Sequence, residues 1–193
     1  MKNRILALLG VILLTGVTTW LAFFLNINPP VANVAGGFIS IIAGVVIAAL
    51  FRVPDRLYYL ILVFVFFAEP VGSIMNMYRL WAPYDKIVHF FSGVLIAAFA
   101  AMVFRKLLES RRVDTKQISK LAGIGALFAF FAAGAGAGIW EITEFTIDIL
   151  VSGGMQRGMV DTITDMIAGN LGGMLYGIIL YLRLRTPWSE FDL

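Results

Sequence analysis

The sequence predicts an all-α, polytopic transmembrane bundle of about six helices, and three observations predict it. Of 193 residues, 60% are hydrophobic and only 14% charged, with a mean hydropathy of +0.89, whereas a soluble domain of this length needs far more polar surface. The apolar residues fall into six runs, each able to supply the ~20 helical residues that cross a hydrocarbon core. The basic residues fall mostly between alternate runs, the asymmetry expected of a chain that crosses a bilayer repeatedly.

The six spans are expected at roughly 4–25, 31–51, 57–77, 85–105, 119–150 and 161–183. Asn26-Ile-Asn-Pro-Pro30 breaks the first from the second, and Arg52-Val-Pro-Asp-Arg56 the second from the third. Pro70 predicts a kink in the third, and Trp81-Ala-Pro-Tyr84 separates it from the fourth, with Trp81 and Tyr84 read as interfacial anchors. A basic loop around 105–120 follows the fourth. Ser152-Gly153-Gly154 ends the fifth with a C-cap signature. The fifth run exceeds one crossing and is expected to tilt or project. Lys2 and Arg4 before an apolar run resemble a signal peptide, but no small-residue cleavage site follows, so the run reads as an uncleaved first helix. The tail from Thr186 to Leu193 reads as interfacial. No internal repeat stands out, and residues 1–193 read as a single integral membrane domain.

With the N-terminus cytoplasmic, Lys2, Arg4, Arg52, Arg56, Arg105, Lys106, Arg111, Arg112, Lys116, Lys120, Arg183 and Arg185 lie inside; Arg79, Lys86 and Arg157 lie outside. Both termini are therefore expected in the cytoplasm, with the protein in the inner or plasma membrane among its lipids. A net charge of +3 is too small to suggest nucleic-acid binding. The absence of cysteine excludes disulfides, thiolate metal sites and cysteine nucleophiles.

The acids sort by depth. Asp55, Glu109, Asp114, Glu190 and Asp192 belong to cytoplasmic loops or the tail, while Glu69, Asp85, Glu141, Glu144, Asp148, Asp161 and Asp165 fall in the outer half of helices three to six, with His89, the single histidine. Asp85 and His89 are four residues apart, on one face of the fourth helix and ~6 Å apart along its axis. That face continues as Ser92, Gly93, Ala97 and Ala100. On the sixth helix Asp161 and Asp165 lead into Gly169, Gly173 and Gly177, a stripe of the kind that packs helices closely. On the fifth, Gly134, Ala137 and Gly138 lead into Glu141, Glu144 and Asp148; on the third, Glu69 aligns with Ser73 and Asn76. Four helices are thus expected to enclose one polar cavity open to the outside.

An ionisable group inside a bilayer costs several kcal/mol unless paired, hydrated or neutralised, so this many carboxyls in one zone point to function. Asp148 and Asp161, near helix ends, also fit an interfacial role, Asp161 as a helix cap. Glu69 also fits a solitary hydrogen-bonded acid, and Asp85 with His89 a structural pair. A histidine among carboxylates suits Mg²⁺ or Mn²⁺, with Zn²⁺ or Fe²⁺ also compatible. The expected metal ligands are His89, Glu141, Glu144, Asp161 and Asp165, and the expected catalytic groups are His89, Asp85 and Glu144. Lys86 and Arg157 at the rim would hold a phosphate.

Two blocks carry a resemblance. Tyr84-Asp-Lys-Ile-Val-His-Phe-Phe-Ser-Gly93 resembles the Asp-x-x-x-His helix start of the YjdF-like family of uncharacterised bacterial membrane proteins. Trp140-Glu-Ile-Thr-Glu144, Gln156-Arg-Gly158 and Asp161-Thr-Ile-Thr-Asp-Met166 resemble that family's second block. The VanZ-like family is similar in outline, but Glu144 stands where its pattern has a glutamine. The resemblance covers roughly 84–177 and supports Asp85, His89, Glu141, Glu144, Asp161 and Asp165 as one site without implying a reaction. A Pro-Ser-Gly-His block, a Gly-x-Ser-x-Gly serine, the CDP-alcohol phosphotransferase pattern and a Walker loop are all missing. The residues leave a metal-assisted enzyme acting on a lipid-linked or envelope substrate, a proton- or cation-coupled transporter, and a non-catalytic envelope partner as alternatives. The apolar continuation beneath the acids favours the first.

Overall fold

A computed structural model describes residues 2–114, 120–151 and 154–185. Every regular element among them is helical: α1 (Lys2–Phe24), α2 (Val31–Leu50), α3 (Asp55–Phe66) continuing as a π-helical segment (Phe67–Ile74), a short α4 (Met77–Leu80), α5 (Pro83–Ser110), α6 (Ala122–Val151) and α7 (Met159–Arg185). Six helices are long and apolar enough to span a bilayer, α3 and its π-helical segment forming one of them. The predicted six-span helical architecture is the observed one. Thr186–Leu193, Lys116, Ser152 and Gly153 lie outside the described residues.

The breaks form where residues with special backbone preferences occur. Asn26 and Asn28 take left-handed φ values of 59° and 49°, and Pro30 precedes the first residue of α2. Arg52, also left-handed at φ 49°, ends α2, letting the Val53 N–H reach back to the Ala48 carbonyl. At the other end of the same connection Arg4 reaches across from α1, bonding Asp55 and, at 2.6 Å, the Val53 carbonyl.

Two expectations are refined. Pro70 does not simply kink α3; it sits inside a π-helical segment, whose wider turn accommodates a residue that has no N–H and whose ring crowds the preceding turn. Asn76, at φ 62°, then terminates it. Tyr84, expected as an interfacial anchor, is turned into the protein. It is buried, and its hydroxyl donates a 2.6 Å hydrogen bond to the Phe67 carbonyl where the π-helical segment begins. Trp81 remains exposed. Helix α5 also runs beyond the expected boundary to Ser110, with Arg105 and Glu109 bonded one turn apart at 2.8 Å.

The described residues form two compact units, 2–88 and 89–185, the division falling within the continuous helix α5. In the first, α1, α2 and α3 pack with the π-helical segment around Thr15, Ile41, Leu62 and Ile74. In the second, α5, α6 and α7 pack through small residues, with Ala97, Ala101, Ala129 and Ala133 buried together and Tyr176 and Leu180 against them.

Candidate functional site

The second unit owes its site to glycine. A β-carbon at Gly93 of α5 would fall on the Gly169 carbonyl of α7, and one at Gly172 on the Phe90 carbonyl, so the two backbones touch. A methyl group at Gly169 would lie 3.0 Å from Ala137 Cβ on α6 and 3.6 Å from the His89 carbonyl oxygen. Gly173 abuts Ala133, and a methyl at Gly177 would lie 3.1 Å from the Ala126 carbonyl. The predicted Gly169/Gly173/Gly177 stripe is thus the seam between α7 and α6, where small side chains permit the close approach that membrane helices use in place of hydrophobic burial.

One turn from that contact layer, toward the N-terminal ends of α5 and α7 and the C-terminal end of α6, stands a polar layer. His89 precedes Gly93 by four residues, Asp165 precedes Gly169 by four, and Glu141 follows Ala137 by four on a helix of opposite direction. Side chains four apart share a helix face, so backbone contact below forces these three groups inward above. Asp165 is 2% exposed, Glu141 5% and His89 7%. Such burial removes most of the hydration that an ionised carboxylate needs, so each charge must be balanced locally.

His89 Nε2 lies 3.7 Å from Asp165 Oδ1. This exceeds a hydrogen-bond length, yet two donors each ~2.1 Å from a shared ion can stand up to ~4.2 Å apart. Asp85, one turn before His89 on the same helix and also buried, offers the imidazole a second carboxylate within 4.8 Å. Among the described residues, Asp85, His89 and Asp165 are the only three histidine or acidic side chains whose donor atoms group closely enough to hold a metal ion.

The other expected site residues are placed differently. Glu144 accepts a 2.8 Å hydrogen bond from Trp140 Nε1, one turn back on its own helix. Asp161, in the first turn of α7, pairs with Arg157 at 3.2 Å. Lys86 Nζ stands 3.5 Å from Asp85 Oδ2. Asp148 receives the backbone N–H groups of Met155 and Gln156 at 2.9 and 2.8 Å, fastening the connection after α6 to its helix. Gly154 and Gly158 in that connection take φ values of 65° and 104°, which glycine adopts without a β-carbon clash.

Glu69 has its own surroundings within the first unit. Its Oε1 accepts from Ser40 Oγ of α2 at 3.2 Å and its Oε2 from Ser73 Oγ at 3.1 Å. Sequence reasoning singled out Ser73 but missed Ser40. The available signal was a lone hydroxyl in an otherwise apolar span, four residues after Gly36.

The family comparison agrees with the membrane reading. A family described as "Predicted membrane protein (DUF2238)" matches residues 5–186. An uncharacterized protein of Thermotoga maritima is 31% identical over 134 residues, a match covering 68% of this chain and 65% of that protein. No solved structure matches the chain. With its pattern matched over nearly the whole length, this multi-pass chain belongs to the predicted membrane proteins of DUF2238, the family that its YjdF-like blocks resemble.

Proposed function

We propose that the protein is a metal-assisted enzyme of the bacterial inner membrane that acts on a lipid-linked or envelope substrate at the outer leaflet. The observation that carries this reading is the buried Asp85, His89 and Asp165 group, with His89 Nε2 3.7 Å from Asp165 Oδ1. One imidazole and two carboxylates form a mixed donor set that suits Zn²⁺, Mn²⁺ or Mg²⁺. Three protein ligands would leave coordination positions for water and substrate, as catalytic sites require. A divalent ion there would polarise a substrate oxygen or lower the pKa of a bound water. Glu141, buried in the same layer of the helix packing, is the carboxyl we assign to exchange a proton with that water. Lys86 and Arg157, partnered with Asp85 and Asp161, supply positive charge for a phosphate-bearing substrate.

The transport reading fits less well. Beneath His89 and Asp165 the helices close on Gly93, Gly169 and Ala137, followed by the buried alanines 97, 101, 129 and 133. The nearby polar groups are turned to their own helices, Ser92 to the His89 carbonyl and Asn170 to the Met166 carbonyl, each at 2.7 Å. A relay needs polar groups or water to continue inward.

The test is metal analysis of the purified protein together with thermal unfolding in Mg²⁺, Mn²⁺ or Zn²⁺. Wild type should hold stoichiometric metal or be stabilised by one of these ions, through linkage of binding to folding. His89→Gln and Asp165→Asn should abolish the response. A wild type without metal or response, with both variants as stable as it or more so, would overturn the proposal in favour of a packing network.

A further inference from the structure

We infer that Glu69 forms a second, separate ligand site in the first unit, one that binds a monovalent cation of the sodium type. The carboxylate lies within the third membrane span. Its partners among the described residues are two neutral hydroxyls, Ser40 Oγ at 3.2 Å and Ser73 Oγ at 3.1 Å, one on each oxygen. No lysine, arginine or histidine among the described residues pairs with it. A carboxylate in a bilayer span with only hydroxyl neighbours lacks the positive charge that such a group requires. The same partners identify what would supply it. The donors are all oxygen, which selects hard cations over those that favour nitrogen or sulfur. A single negative charge among neutral donors matches one positive charge; a divalent ion would leave an uncompensated charge in a low-dielectric region.

Two glycines of α2 lie against the Glu69 side chain. On α2, Gly36 faces the carboxylate, a β-carbon there standing 3.9 Å from Glu69 Oε2, and Gly37 packs beside the Glu69 β-carbon. Glu69 is half-buried, so part of its side chain lies outside the helix packing. Pro70 follows directly and places Glu69 in the π-helical segment, an irregularity that recurs at functional sites in helices. Asn33 Nδ2, donating to the Ser73 carbonyl at 3.0 Å, holds the Ser73 end of the site against α2.

The experiment measures thermal unfolding of the purified full chain in NaCl, KCl and choline chloride at constant ionic strength, with carbodiimide labelling of Glu69 read by mass spectrometry. Sodium should raise the melting temperature with a saturating concentration dependence and slow the labelling. Glu69→Gln should abolish the sodium response, and Ser40→Ala should weaken the apparent affinity by about tenfold, the cost of losing one hydrogen-bonding or coordinating oxygen. Asp165→Asn should leave the sodium response intact, which separates this site from the divalent-metal proposal. Equal melting in the three salts would overturn the inference, as would sodium dependence that persists in Glu69→Gln. Labelling that proceeds at the same rate with and without sodium would show that the carboxyl serves as a proton site and would equally overturn it. If Glu69→Gln fails to fold, the same comparison of salts on Ser40→Ala and Ser73→Ala decides the matter.

Discussion

Replacing Gly93 with alanine tests how packing builds the site. The added β-carbon would fall on the Gly169 carbonyl, a backbone atom that no rotamer change can move. Restoring van der Waals separation requires α5 and α7 to part by on the order of 1 Å or more. Overpacking of this kind costs about 1–3 kcal/mol, and the rigid obstacle places Gly93→Ala toward the upper end. Alanine returns up to ~1 kcal/mol through its helix propensity, leaving a net loss of about 2 kcal/mol. For a chain of this size that lowers the melting temperature by roughly 4–8 °C. The same separation would widen the 3.7 Å His89–Asp165 distance, so the response to divalent metal should weaken as well. The assay is thermal unfolding of detergent-purified protein with and without Mn²⁺ or Zn²⁺. Gly10→Ala is the control, because a β-carbon there meets nothing within 4 Å, and it should be neutral or slightly stabilising. A Gly93→Ala protein that melts at or above wild type would refute the close-contact account of how His89 and Asp165 are brought together.

Three further outcomes follow from the geometry. Tyr84→Phe removes the 2.6 Å hydrogen bond to the Phe67 carbonyl and should destabilise by about 0.5–1.5 kcal/mol, the net worth of one such bond; denaturation midpoints measure this. Asp85→Asn should reduce divalent-metal stabilisation while Glu144→Gln leaves it unchanged, because Glu144 is engaged with Trp140; an equal loss in both would return Glu144 to the ligand set. Reporter fusions after Leu193 and within 154–158 should report opposite compartments, with the C-terminus cytoplasmic, and a shared compartment would defeat the six-span topology.

The sequence by itself determined the number and nature of the helices, because hydrophobic length and Asn, Pro and Gly breaks act locally. It also determined which residues share a face: Asp85 with His89, and Asp165 with Gly169, Gly173 and Gly177, follow from the helical period alone. It exposed a concentration of acids at one end of the later spans, since a charge in an apolar run is conspicuous whatever surrounds it. Only the tertiary structure decided which faces meet. The contact of Gly93 with Gly169 selects His89 and Asp165 as neighbours, while Glu144 turns to Trp140 and Asp161 to Arg157. It likewise assigned Glu69 a partner on α2 and drew the Tyr84 hydroxyl inward to the π-helical segment. The physical reason is that a helix's period fixes the angles between its own side chains, whereas its rotation about its axis is set by the small-residue contacts it finds on other helices. Those contacts join positions dozens of residues apart, so the period of a segment marks its small-residue face without naming the partner.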